Sequence, residues 1–456
     1  MMSRHLIYGR FGLKDTVAIP SSEGEVSTAV EFVQATKRLD HGIGTALEEL
    51  SAMGIYPSEM GVDLLVLAAH IYAADTRISR DTESQDNWTR ELRLVVPVSD
   101  PVRWNAVSNI LQRMLNFLTG DRWVLGFRPR PNGFEHFVAA KPLVGPQPAF
   151  DEMSLFSGGL DSLIGAIDAL EKNTNPLFVS HAGEGAVSAA QEALFRRLEQ
   201  QYPNRPFKRL RVWMSFPKEL VQDVPPEDST RGRSFLFFAT GALAASGVGR
   251  LCKLNVPENG LIALNVPLDQ LRLGSLSTRT THPFYIARWN DLLSELGIPV
   301  SIENPYWDRT KGEMVAACAN PTFLKKVLPE SLSCASPTKA RWKGHGTEHC
   351  GFCLPCLIRR AAIKSGIHGA DPTTYTLANL HASPLKTSGA EGIQVRSFQF
   401  AIARLADKPH LASILIHKSG PLTDESSSRQ NALAEVYLRG MNEVGNLLEN
   451  VTTTPS

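Results

Sequence analysis

Between Met153 and Asn304 the chain repeats one rhythm: a short apolar run, a polar turn, then apolar residues at helical spacing. MSLF leads into a helix expected over about Ser162 to Glu171, with Leu163, Ile164, Ile167 and Leu170 on one face. PLFVS leads into a second helix at about Ala186 to Gln200. FKRLRVWMSF reads as a third strand, its Leu210, Val212 and Met214 alternating with Arg209 and Arg211. The apolar helix SFLFFATGALAAS, the strand LCKLNV, and the pair FYIARWNDLLSEL and PVSIEN continue the series. Strands alternating with helices of this length predict an α/β fold: a parallel sheet with helices on both faces.

The flanks carry weaker signals. Residues 1–150 read as a mixed α/β unit, with a helix expected from Glu25 to Met53, broken around Gly42 and Gly44, and a strand in VDLLVLAAHIYA. ELRLVVPV alternates like a strand. After it, Val107, Ile110, Leu111, Met114, Leu115 and Leu118 share a helical face that Gly120 ends. The proline-rich run from Pro129 to Pro148 predicts a strand pair closing at a boundary. The expected units are therefore 1–150, 151–330, a cysteine-bearing segment at 331–365, and a helical region at 366–456 with two helices and a mobile tail, VTTTPS.

The turn SGGLDS sits where the first strand of the repeating part hands over to its helix. Gly158 and Gly159 let the backbone come close to a ligand, and successive N–H groups beside a helix N-terminus make an anion site. Ser157 and Ser162 add hydroxyls. Asp161 would repel a bare phosphate, so it implies a nucleotide with its Mg²⁺, or a cap on backbone donors. The plainer reading is a capped Ser/Gly turn, for which the full Ser-Gly-Gly-x-Asp-Ser pattern is unusually elaborate. The chain contains neither G-x-x-x-x-G-K-[ST] nor G-x-S-x-G, which sets aside a Walker-type site and a hydrolase nucleophile at Ser157.

Charge narrows the partners: 47 Lys and Arg against 46 Asp and Glu argue against a dedicated nucleic-acid coat or a membrane-surface binder. No apolar run approaches the roughly 20 residues of a membrane span, and MMSRHLIYGRFGLKD has no apolar signal core, so a cytoplasmic address is expected. Of six cysteines, Cys334, Cys350, Cys353 and Cys356 supply the four soft ligands of a structural Zn²⁺ site, an iron–sulfur cluster being the rival. His345 and His349 are spare ligands, and Cys252 and Cys318 are expected to be buried as small hydrophobes.

SGGLDS resembles the PP-loop of the ATP pyrophosphatases. The resemblance implies that Ser157, Gly158, Gly159, Asp161 and Ser162 hold the diphosphate end of ATP, with Ser180 and His181, at the end of the second strand, beside the nucleoside. Joined to the cysteine pattern C…CGFCLPC, it narrows to the QueC family, the 7-cyano-7-deazaguanine synthases, and to the longer QueC-like proteins of Qat-type anti-phage systems. RGRSFLFFATGALA and DRTKGEMV are similar to two of that family's segments, which implies that Arg231, Arg233 and Lys311 meet nucleotide or substrate charge. Ser234 replaces the family's Asn, and its Tyr-Pro-Asp-Cys-Arg segment has no counterpart in STRTTHPFYI.

The likeness spans about residues 151 to 365. It implies adenylation of a carboxylate such as 7-carboxy-7-deazaguanine by MgATP, then transfer to ammonia or to an amine of a co-encoded partner protein. A tRNA-modifying PP-loop enzyme, with TKARWKGHGTEH, Arg359, Arg360 and Lys364 on phosphates, and a non-catalytic ATP-binding scaffold stay open as alternatives.

Overall fold

The computed structural model describes residues 4–34, 37–139, 150–183, 185–268, 279–338, 346–367 and 369–455. Two parallel sheets organise them. The first takes β1 (Arg4–Phe11), β2 (Glu25–Val33), β3 (Glu91–Val98) and β4 (Arg122–Pro129) in the order β2-β1-β3-β4. The second takes β5 (Glu152–Leu155), β6 (Pro176–His181), β7 (Lys208–Val212), β8 (Cys252–Asn255) and β9 (Val300–Glu303) in the order β7-β6-β5-β8-β9. Its first strand is thus central. The chain moves outward on one side through β6 and β7, then crosses to β8 and β9 on the other, and the reversal opens a crevice beyond the carboxyl end of β5.

Side chains alternate between two cores across this sheet. Phe156 and Phe178 pack with helices Leu160–Glu171 and Gly185–Gln201. Leu155, Leu177 and Val179 pack on the other side, in a core that includes helices Arg233–Ser246 and Pro283–Glu295. The expected α/β architecture, parallel with helices on both faces, is present. A third core gathers helices Ala390–Asp407 and Ser427–Leu448 with part of Leu354–Gly366.

The flanks depart from expectation. Glu25–Val33 is strand β2 rather than helix: Thr28, Val30 and Phe32 are buried while Ser27 and Glu31 are exposed, a period of two that β-branched residues favour. VDLLVLAAHIYA is not a strand but the middle of helix Glu59–Arg77, with Val62 through Ile71 all buried. A helix covered on every side shows no periodicity, and only its length and its Ser58 cap, which accepts from Gly61 N at 3.1 Å, mark it as helical. It packs between the first sheet and helix Arg233–Ser246, so one continuous core joins residues of both sheets. The cap at Gly120 (φ 77°) holds as expected. β4 ends at Pro129, where the expected strand pair would begin; residues 130–139 form no strand, and 140–149 lie outside the described residues. The tail is tethered, because Thr453–Thr454 pairs in parallel with Leu385–Lys386.

Three buried imidazoles give the fold an acid sensitivity. Burial holds His70 down to about 4, and burial with a nearby arginine (Arg233 and Arg279 respectively) holds His181 and His282 down to about 3. Each ring protonates near pH 6.5 when unfolded but stays neutral in the fold, so its contribution is complete above pH 6.5 and is lost as pH falls toward 4. Chemical denaturation at pH 5 is expected to give a stability lower than at pH 7.5 by up to ~2 kcal/mol per ring, and each of these histidines replaced by Gln is expected to shrink the difference.

Candidate active site and metal centre

The SGGLDS turn begins where β5 ends. Gly158 adopts φ 82°, in the left-handed region, and Gly159 caps the helix Leu160–Glu171. The two serines face one another, Ser157 Oγ to Ser162 Oγ at 3.1 Å, and Ser162 Oγ also donates to Gly159 O at 3.0 Å. Gln191 braces the turn from behind, its Nε2 donating to Ser157 O at 3.2 Å and His181 O at 3.3 Å. The turn opens onto a cleft of about 420 Å³, within the range of small-molecule sites.

Its lining brings Ser157, Gly159, Asp161, Ser162 and Lys311 together with the apolar side chains of Phe237, Phe238 and Val256. Lys311 Nζ is 3.1 Å from Asp161 Oδ1, while Asn259 donates to Asp161 Oδ2 from Nδ2 at 2.8 Å and from its backbone N at 3.3 Å. Asp161 is therefore fixed by a cation on one oxygen and an amide on the other. Glu258 also faces the cleft, and Thr281 Oγ1 donates to its Oε2. Removal from water, reinforced by the Asp161 charge, pushes Glu258 up to about 7.

Arg231 and Arg233 line the same cleft. Arg231 lies 3.8 Å from the centre of the Trp88 ring and donates to Thr119 O at 3.0 Å, both of which come from the first sheet's side of the molecule. Burial, with Arg80 nearby, pushes it down to about 10, so it remains cationic. Between the two arginines, Gly232 N donates to Asp75 Oδ2 at 2.7 Å.

Four thiols converge beside this cleft. The sulfurs of Cys334, Cys350, Cys353 and Cys356 all lie within 4.8 Å of one another, with Cys334 to Cys353 and Cys350 to Cys356 at 3.9 Å. Thiolates around one Zn²⁺ at about 2.3 Å sit about 3.8 Å apart, so the set fits a single ion such as zinc. An iron–sulfur cluster divides its four thiolates over two or four irons and so spreads them wider. Backbone N–H groups of Cys350 and Ser336 donate to Cys334 Sγ at 3.4 Å, and that of Cys353 to Cys350 Sγ at 3.3 Å. Such donors stabilise thiolate charge. Gly351 (φ 87°) makes the tight bend between them. The segment is docked on the glycine turn: Leu332 N donates to Gly158 O at 2.8 Å, and Leu160 N donates to Ser333 Oγ at 3.2 Å.

Of the residues expected at the site, Ser157, Gly159, Asp161, Ser162, Arg231, Arg233 and Lys311 share the cleft, and the four cysteines share the adjoining cluster. Gly158 supports the turn from beneath, where a Cβ would press on Gln191. Ser180 and His181 are not brought to the cleft. Both are buried below it, with Ser180 Oγ donating to Phe156 O at 2.8 Å and the His181 ring edge-on to Tyr72 and Phe237. Cys252 and Cys318 are buried, as expected.

His349 does not replace a sulfur; its Nε2 accepts from Ser333 N at 3.2 Å. His345 lies outside the described residues. Of the suggested phosphate contacts, residues 339–345 of TKARWKGHGTEH lie outside the described residues; fully buried Arg359 bonds Ser331 Oγ and Leu328 O, Arg360 bonds Leu377 O, and Lys364 bonds Asn446 O. Glu258, Asn259, Gln191 and Trp88 escaped sequence reasoning. PEN before GLIAL carried a usable signal, an Asn cap preceded by an acid, but nothing local linked it to a turn about a hundred residues earlier.

No protein-family model and no curated protein matches the chain. No helix among the described residues is long and apolar enough to cross a membrane.

Elemental analysis of the purified chain is expected to find one zinc per molecule. Cys350→Ser should abolish it and lower Tm by several degrees; a metal-free wild type of unchanged Tm would contradict the assignment.

Proposed function

We propose that this chain is an ATP-dependent adenylating enzyme of the QueC-like PP-loop kind, joining a carboxylate to an amine through an acyl-adenylate. The observation that carries the reading is the position of SGGLDS. It lies at the carboxyl end of the central strand of a sheet that reverses direction there, with Lys311, Arg231 and Arg233 around one cleft. A helix N-terminus and three cations suit a triphosphate, and the apolar side chains of Phe237, Phe238 and Val256 suit a flat ring.

In this reading the turn and Lys311 hold the diphosphate that departs, which stabilises charge developing on the leaving group. Asp161 is the residue that would hold the Mg²⁺ carried by ATP, and that ion would neutralise charge on the phosphates. Arg231 and Arg233 meet the remaining negative charge, that of the α-phosphate or of the acid. Walls of Phe237, Phe238 and Val256 limit water, which protects an acyl-adenylate from hydrolysis. The acid implied by the resemblance is 7-carboxy-7-deazaguanine, in the setting of an anti-phage system.

Pyrophosphate release from MgATP in the presence of 7-carboxy-7-deazaguanine is the direct test. Lys311→Ala and Asp161→Ala are expected to lower it by about 10²- to 10³-fold while circular dichroism stays native. Absence of acid-dependent release in the wild type would refute the reading. Trp88→Ala removes the face on which Arg231 rests, and the KM for ATP or acid is expected to rise between about two- and thirty-fold with a small change in Tm.

A further inference from the structure

Of the two carboxylates among the described residues of the cleft, Glu258 is the one that the adenylation step does not use. Its backbone is pinned on both sides by Asn304, which accepts from Glu258 N at Oδ1 (3.3 Å) and donates from Nδ2 to Glu258 O (2.7 Å). Thr281 holds Oε2, and among the described residues no hydrogen bond reaches Oε1. The neighbouring carboxylate is already engaged: Asn259 donates to one oxygen of Asp161, and the other, 3.1 Å from Lys311 Nζ, is the one that would turn to Mg²⁺ in the adenylation reading. The remaining charged groups on the cleft wall, Lys311, Arg231 and Arg233, are cations. An amine entering as its ammonium ion is therefore repelled by three groups, and among the described residues Glu258 is the cleft anion with an oxygen that no hydrogen bond reaches.

Resting on the adenylation reading, we propose that Glu258 is the proton acceptor for the amine in the second half of the reaction. The ammonium ion gives one proton to Glu258 Oε1, and the freed lone pair attacks the acyl carbon. The C–N bond forms and the C–O bond to the adenylate breaks. AMP leaves with the bonding pair, and the second N–H proton passes to solvent. A rigidly held carboxyl in a partly dry wall, with Asp161 near enough to raise its proton affinity, suits this task better than a solvated one.

The test uses two nucleophiles on the full-length protein with MgATP and 7-carboxy-7-deazaguanine: ammonium chloride, which must lose a proton, and hydroxylamine, which is already neutral near pH 7. With Glu258→Gln, hydroxamate formation is expected to stay within about threefold of wild type, while ammonia-dependent product falls about 100-fold. The wild-type rate with ammonium should rise with pH through about 7 as Glu258 ionises, and the variant should lack that limb. Equal loss with both nucleophiles would overturn the assignment in favour of a metal-holding or structural carboxylate, and equal retention would overturn it outright. A wild type that yields neither pyrophosphate nor hydroxamate refutes the adenylation reading, and the assignment with it; hydroxamate without an effect of Glu258→Gln refutes the assignment alone.

Discussion

One buried carboxylate ties the two sheets together at the cleft. Asp75, near the end of helix Glu59–Arg77, accepts from Arg80 and Arg90 at Oδ1 and from the Gly232 amide at Oδ2. Asp121 shares both guanidinium groups, at 2.6 Å from Arg80 and 2.7 Å from Arg90, and this shared charge holds Asp121 below the usual carboxylate range. Such a cluster is stable only when complete, since removing one partner strands a buried charge. The constraint it imposes is positional: the backbone between Arg231 and Arg233 cannot move without breaking a bond to the first sheet's unit.

Each appendage fixes a different wall of the cleft. The N-terminal unit holds Arg231 through Trp88 and Thr119. The thiol segment holds the glycine turn through Leu332 and Ser333. The C-terminal helix Ser427–Leu448 holds the Lys311 segment: Glu443 accepts from Thr310 Oγ1 and from Gly312 N, and Arg439 pairs with Glu313 at 2.6 Å. Gly312 and Gly366 are glycines because a Cβ at either would strike the opposing helix. A bare five-stranded sheet would present the same turn without these supports. The bonds that position the charged groups of the cleft are thus distributed over the whole chain.

Legibility in the sequence followed locality. SGGLDS and the cysteine spacing each pack their ligands into a few residues, so both could be seen without the fold. The β-α alternation of residues 151–304 was equally plain, because each strand is a short apolar run and each helix is amphipathic or bounded by turns. Glu25–Val33 and Glu59–Arg77 were misread for a physical reason. In the first, Ala29 and Val33 place apolar residues on the face opposite Thr28, Val30 and Phe32 and blur the alternation, and the second is buried on all sides and shows no period.

His181 shows the converse failure. It ends a strand that borders the switch point, yet its ring is packed edge-on against Tyr72 and Phe237 and does not line the cleft. Position along a strand predicts depth but not the face on which a terminal residue falls when its neighbours come from another unit.

By itself, then, the sequence determined a glycine- and serine-rich strand-to-helix turn, a four-thiol cluster that could hold a metal ion and a parallel α/β frame, all products of short-range spacing. The tertiary structure decided which charges meet at the turn. Lys311, Asn259, Glu258 and Arg231 reach it from elements far apart in the chain, and their convergence depends on the crossover of the sheet and on buried bonds from three flanking units. Backbone geometry encodes the former within a few residues; only packing of distant surfaces, which no local pattern records, creates the latter.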